Sequence, residues 1–433
     1  SPAYRERERE LERRLAGLAD DDLAGLAAIE QEMSLLERDL RRDDPRLAEV
    51  RYPNPASLAD VQGALPANAV LLEYLVGEDA SWLWIVTPTG FRRERLPDGR
   101  RLAESVRELR AVTSDYNVLG ADPAYLIPPA RALGRALLDP ARPELASARR
   151  VIVAPDGPLH LVPFAALLVE DSSARHYRDL PHAVRRWDLS RVPSGTSLTR
   201  NVAAGPAPGA ALLLGDPVLD DAPEASLRFL AAAGTTPPPL PFAARELDAV
   251  AARIPSARRL SGADATRAAL AAILAEPAPP ALVHVATHGV LNGRRPRLSG
   301  LLLTPGEGDD DGFLSLGEVF ALRMPCDLVV LSACATSLGE NLAGEGVVGL
   351  ARAFRFAGAR NVVSSLWPVS GAATAALMDR FYAEWQAAPG PDRAPRALAA
   401  AQRAWLRDAT TVPGLEGVDV AHPCFWAAFV LTR

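Results

Sequence analysis

Two short segments of this chain end in residues that could act together as a nucleophile and a base. Residues 282–289 read Leu-Val-His-Val-Ala-Thr-His-Gly, an apolar run of β type that finishes on His288 and then Gly289, where a chain can leave a sheet. Forty-six residues later, residues 328–334 read Leu-Val-Val-Leu-Ser-Ala-Cys, the same design with the Cys334 thiol at its exit. Parallel neighbours leave a sheet at its carboxyl edge, where open α/β sheets bind ligands, so such a pair would bring imidazole and thiol side by side. A thiolate attacks a carbonyl carbon, and an adjacent imidazole both stabilises it and protonates the leaving amine. Gly289 lets backbone N–H groups approach a substrate oxygen, and the Cys334 N–H is the natural second donor of an oxyanion hole. A single His or Cys at a strand end is usually packing; it is the matched pair that points to chemistry.

The pattern around these segments predicts the frame that would hold them. Strand-like runs at residues 151–154, 211–214, 282–286, 327–332 and 361–366 are separated by helical stretches, among them 242–252, 345–356 and 372–385. That alternation predicts an α/β fold with a mainly parallel sheet and helices on both faces. Three short β-rich runs at 69–76, 81–87 and 91–96 read as a meander. Ahead of them, apolar positions from Leu11 to Leu40 step by three and four and predict two amphipathic helices broken near Asp20-Asp21-Asp22. Stretches rich in Pro, Gly and Ala at 204–210, 235–241, 277–280 and 389–395 read as loops or linkers.

Composition narrows the function. The 433 residues carry a formal net charge of -6, and acids interleave with the arginine clusters, which argues against a nucleic-acid partner or an anionic membrane surface. No run approaches the roughly 18 apolar residues needed to span a bilayer, and no apolar signal block opens the chain, so a cytoplasmic location is expected. The start at Ser1 rather than Met suggests a piece of something longer. Cys326, Cys334 and Cys424 are sparse and form no CxxC pair, so neither a disulfide framework nor a zinc site is expected, and no cofactor is implied.

Beyond the pair itself, the sequence resembles the CHAT peptidases, relatives of caspases and separases among the Cys-His peptidases of the caspase fold. Residues 286–289 look like the family's histidine motif and residues 327–336 like its cysteine motif. Residues 344–346 with 350–354 resemble the helix after the active-site loop, residues 358–363 and 365–369 the next strand and substrate-pocket segment, and residues 422–429 the closing strand. Residues 151–167 and 193–194 also look like family hallmarks, so the resemblance covers roughly residues 50–433.

The resemblance implies a caspase-like fold with tandem halves: a helical segment at residues 1–50, a pseudo-peptidase half at 51–260 and a catalytic half at 261–433. It implies a cysteine endopeptidase with Cys334 as nucleophile and His288 as general acid and base, cleaving a dedicated protein partner in a bacterial regulated-proteolysis, defence or cell-death system. Ser332, Trp367, Ser370 and Glu345 would line the substrate pocket. The helical segment could end a tetratricopeptide array through which a regulatory partner acts. Two rivals stand beside this reading: a catalytically silent interaction module, and a thiol acyl-transferase or esterase on a small substrate.

Other residues read as structural. His284 lies deeper on the same strand face as His288 and is expected in the core, His160 in a loop turn, and Cys326 and Cys424 as inert. Asp309-Asp310-Asp311 reads as a solvated turn before a calcium site. Where the family commonly places acids after its Trp-Pro-Val step, this chain has Ser370 and Gly371, and Ala335 follows the cysteine where relatives often carry Glu.

Overall fold

The computed structural model describes residues 7, 10, 11, 14, 23–43, 54–115, 122–199, 210–219, 240, 242–291, 299–308, 310–332, 335–337, 343–388, 390, 392–408 and 411–433. The chain divides into two compact units, Ser1–Asp60 and Val61–Arg433. In the first, α1 (Leu23–Asp43) carries the predicted stripe, with Ile29 and Leu40 buried, and Glu32 accepts from Arg7 and Arg14. The break predicted near residues 20–22 lies outside the described residues.

The second unit is built on a sheet to which eleven described strands contribute. The meander is β1 (Ala69–Leu75), β2 (Ser81–Val86) and β3 (Phe91–Leu96), followed by β4 (Arg150–Ala154) and β5 (Asp188–Arg191). Then come β6 (Leu212–Pro217), β7 (Arg258–Gly262), β8 (Leu282–Ala286), β12 (Leu328–Leu331), β14 (Val362–Ser365) and β15 (Phe429–Thr432). The spatial order is β3-β2-β1-β4-β5-β15-β14-β12-β8-β6-β7. Strands β1, β4, β5 and β15 are mutually parallel, as are β14, β12, β8, β6 and β7, while β15 runs antiparallel to β14. The sheet is therefore two parallel blocks of opposite direction. The blocks meet at the antiparallel β15–β14 ladder, while within the first block the β5–β15 ladder is short, one register pair of Arg191 with Thr432, extended by the Arg433 N–H donating to the Arg191 carbonyl at 2.8 Å.

Strand alternation explains how helices cover both faces. Leu213, Leu282, Ala286, Leu328 and Val330 enter one core with α4 (Ala243–Arg253), α8 (Gly371–Ala387) and α9 (Arg393–Asp408). Their neighbours in sequence, Leu212, Leu214, Val283, Val285, Val329 and Leu331, enter the other with α5 (Arg267–Leu274), α6 (Leu316–Ala321) and α7 (Ala343–Ala357). On the first block, α2 (Gly99–Thr113) and α3 (Ile127–Leu137) bury Leu102, Val106, Leu109 and Leu133 against Val70 and Leu72. Gly215 is needed where β6 meets β8, because a side-chain carbon there would stand 2.1 Å from the Ala286 carbonyl oxygen.

Two local readings of the sequence are corrected. The stretch 389–395, expected as linker, contains the start of α9 at Arg393; Pro395 is tolerated because a first-turn N–H has no intrahelical acceptor to lose. The closing strand expected at 422–429 is a helical turn at Pro423–Trp426, capped by His422 accepting from the Cys424 N–H, and the strand starts only at Phe429. Strands β6 and β7 join the block that holds β8 and β12.

A second, four-stranded sheet grows where β8 and β12 end, in the order β11-β10-β9-β13: β9 (Gly289–Leu291), β10 (Gly300–Leu302), β11 (Phe313–Ser315) and β13 (Ala335–Ser337).

Candidate active site

The two chemistry-bearing strands are hydrogen-bonded neighbours. β8 pairs with β12 in parallel from Leu282↔Leu328 to Val285↔Leu331, and the Ser332 N–H donates to the Val285 carbonyl at 2.8 Å. Beyond their ends β9 pairs with β13, again in parallel, with Gly289↔Ala335, Val290↔Thr336 and Leu291↔Ser337. In both ladders the partners are 46 residues apart, the separation of His288 and Cys334. Cys334 itself lies outside the described residues. The residue after it, Ala335, faces the residue after His288.

His288 is held by its own strand exit. Its carbonyl accepts from the Leu302 N–H at 2.9 Å, and the Thr287 hydroxyl donates to the Leu302 carbonyl. These bonds pin the backbone on both sides of the imidazole to β10, which fixes its position without using the ring. The side chain is buried, with 2% of the residue exposed, and Gly289 is buried beside it.

The remaining predicted site residues are not gathered as closely. Ser332 is half-buried at the end of β12. Trp367 follows β14, the neighbour of β12, but lies in the core at 2% exposure, its indole N–H donating to the Cys424 carbonyl at 3.1 Å and the Arg110 guanidinium 5.8 Å from its ring centre. Ser370 precedes α8, and its carbonyl accepts from the Thr374 N–H at 2.8 Å. Glu345 belongs to α7; its side chain lies outside the described residues, as do Asp309 and Glu340. Asp310 accepts from Arg267 at 2.6 Å and from the Gly312 N–H, and Asp311 accepts from the Phe313 N–H. That loop is thus organised by a guanidinium and backbone donors. Among the described residues no group of three or more His, Cys, Asp or Glu side chains could hold a metal ion.

His284 sits in the core, fully buried, where its Nδ1 lies 2.9 Å from the Tyr382 hydroxyl and its Nε2 lies 3.1 Å from Glu246 Oε1. The second contact is close but not aligned as a hydrogen bond. Burial, aided by the Glu246 charge, pushes the Tyr382 hydroxyl well above its ordinary titration range. This carboxylate, imidazole and phenol tie α4, β8 and α8 together four residues below His288. Sequence reading missed Glu246 and Tyr382; the one available signal was a polar residue at a core-facing position of each helix.

The two described cysteines are both buried. Cys326, just before β12, is buried, and burial together with Asp327 pushes its thiol up to about 12. Cys424 is buried under the Pro423–Trp426 turn.

The fold is an α/β one in which the strands that precede His288 and Cys334 in sequence pair in parallel. The chain belongs to the CHAT domain family, which matches residues 128–433. It is 28% identical over 313 residues to human tetratricopeptide repeat protein 28, a match covering 60% of this chain and 12% of that protein. The chain therefore spans about an eighth of that relative's length. Among solved structures it resembles the Saccharomyces cerevisiae separase–securin complex, with a TM-score of 0.47, 10% identity, and coverage of 96% of this chain and 34% of that one. It also resembles the Arg-specific cysteine proteinase gingipain R, with a TM-score of 0.38, 8% identity, and coverage of 70% and 66%.

Proposed function

We propose that this chain is a cysteine endopeptidase in which the Cys334 thiolate attacks the scissile carbonyl and His288 serves as general base and then general acid. One observation carries the reading: the 46-residue offset of the β8–β12 ladder reappears unchanged in the β9–β13 ladder, on the far side of both residues. An insertion or bulge in either strand would have broken that offset. Membership of the CHAT family supports the same assignment. In the reaction, the thiol proton passes to imidazole as the carbon–sulfur bond forms, the amine leaves with that proton, and water then hydrolyses the thioester. The N–H groups of Gly289 and Cys334 would receive the oxyanion.

The burial of His288 fits a peptidase kept from general substrates until a partner or its own dedicated protein substrate opens the site. We read residues 51–260 as a supporting half and residues 261–433 as the working half, with α1 as the end of a repeat array that carries the regulatory contact. Incubating the protein and its Cys334→Ala variant with a proteome, followed by mapping of new protein termini, tests the proposal. The intact protein should generate a small set of termini that the variant does not; the same termini from both proteins would refute it.

A further inference from the structure

Away from the exit of β8 and β12, a cavity of about 420 Å³ opens between α8, α9 and the starts of β4 and β5. None of its lining residues belongs to β8, β9, β12 or β13. Its charged lining is Arg149, Arg150, Arg396 and Arg403 against Asp188 and Glu384. The acids do not balance the arginines. Asp188, with a side chain only 4% exposed, is shared by Arg403 at 2.7 Å and Arg149 at 3.5 Å, which leaves donors of both guanidinium groups unspent. Arg150 gives one nitrogen to Asp392 at 2.7 Å, a carboxylate that Arg433 also reaches at 2.9 Å. Arg396 is exposed and forms no ion pair among the described residues. Ala387 and Ala388 beside Glu384, and Ala397 and Ala400 on the same helix as Arg396 and Arg403, form an apolar wall among the charges.

We propose that this cavity binds a small phosphate-bearing ligand of nucleotide size, its phosphates received by the arginines and any organic part lying against the alanine wall. The guanidinium fork matches phosphate oxygens two at a time, and several such groups held on a shared carboxylate are already oriented, so little ordering is lost on binding. The volume lies in the range of small-molecule sites. Glu384 is the one lining acid that opposes the charge without an ion-pair partner among the described residues, so it sets the affinity from the unfavourable side. Because the cavity touches β4 and β5 as well as α8 and α9, an occupant would tie these elements together and stabilise the folded chain.

Calorimetric titration of the full chain at low ionic strength with ADP, inorganic pyrophosphate and adenosine tests this. ADP and pyrophosphate should bind saturably and adenosine should not; tighter binding of ADP than of pyrophosphate would assign part of the affinity to the alanine wall, and equal binding would assign all of it to the phosphates. Arg396→Ala, at an exposed position, should keep the melting temperature of the parent and weaken ADP about tenfold, whereas Glu384→Gln should tighten it. The proposal is overturned if neither phosphate binds, if adenosine binds as well as ADP, or if both substitutions leave the affinity unchanged. Cleavage by Cys334 plays no part in this measurement, so its failure and the failure of the peptidase reading are separable.

Discussion

Gly289 and Ala335 face one another across two parallel strands, and each is the residue immediately after one member of the proposed dyad. Neighbouring strands lie about 4.8 Å apart and consecutive Cα atoms about 3.8 Å apart, so the proposed dyad requires no departure from ordinary strand spacing. Register carries that relationship, and it is held between two strands buried on both faces, Leu282–Ala286 and Leu328–Leu331.

His288 and His284 should separate activity from stability. His288→Ala should lower turnover by a factor on the order of 100 or more, because the proton-transfer group is gone, while the melting temperature changes little. His284→Ala should do the reverse, costing about 2 kcal/mol or more by leaving Glu246 and the Tyr382 hydroxyl buried without their imidazole partner. Turnover and thermal unfolding measured on both variants check this, and a swapped pattern would contradict the roles.

Acid should unfold the chain through histidines that the fold keeps neutral. Burial pushes His182 down to about 4, and its Nδ1 lies 2.9 Å from the Ala166 carbonyl with the ring edge-on to Trp426. Burial also brings His160 and His422 down to about 4. The unfolded chain binds these protons near pH 6.5 and the folded chain does not, so their stabilisation is full above that pH and is lost as pH falls from about 6.5 to about 4. His182, fully buried, accounts for about 3 kcal/mol of it. Melting temperatures across that window should fall steadily, and the fall should be shallower in a His182→Gln variant.

Selection at the cut site should not demand a basic residue. A pocket for Arg or Lys needs a facing carboxylate, since an unpaired buried cation costs several kcal/mol, on the order of what forbids binding. Ser370 and Gly371 supply none, and Asp310 is already engaged by Arg267. A peptide library should show a neutral or small residue accepted before the cut; strict dependence on Arg or Lys would point to Asp309, Glu340 or Glu345 as the missing acid.

The pairing of β8 with β12 was legible because both strands are near-continuous apolar runs and each is followed within a few residues by a reactive side chain, His288 or Cys334. The parallel sheet and its helix-covered faces followed from the alternation of elements. What local pattern could not show was partnership at long range: β15 lies between β5 and β14, its Thr432 241 residues beyond its ladder partner Arg191, and nothing in Phe429–Thr432 names its neighbours. The four-stranded sheet at the exit escaped for a different reason, since three-residue strands such as Gly300–Leu302 are too short to display a period. Glu246, His284 and Tyr382 come from three separate elements, and only packing brings them together.

Thiol reactivity tests the dyad without a known substrate. With iodoacetamide at neutral pH, Cys334 should be alkylated well before Cys326, whose thiol burial pushes up to about 12, and before the buried Cys424. His288→Ala should slow Cys334 at neutral pH and leave the other two unchanged. Equal rates for all three cysteines, or a Cys334 rate indifferent to His288, would contradict the assignment of these two residues as a catalytic pair.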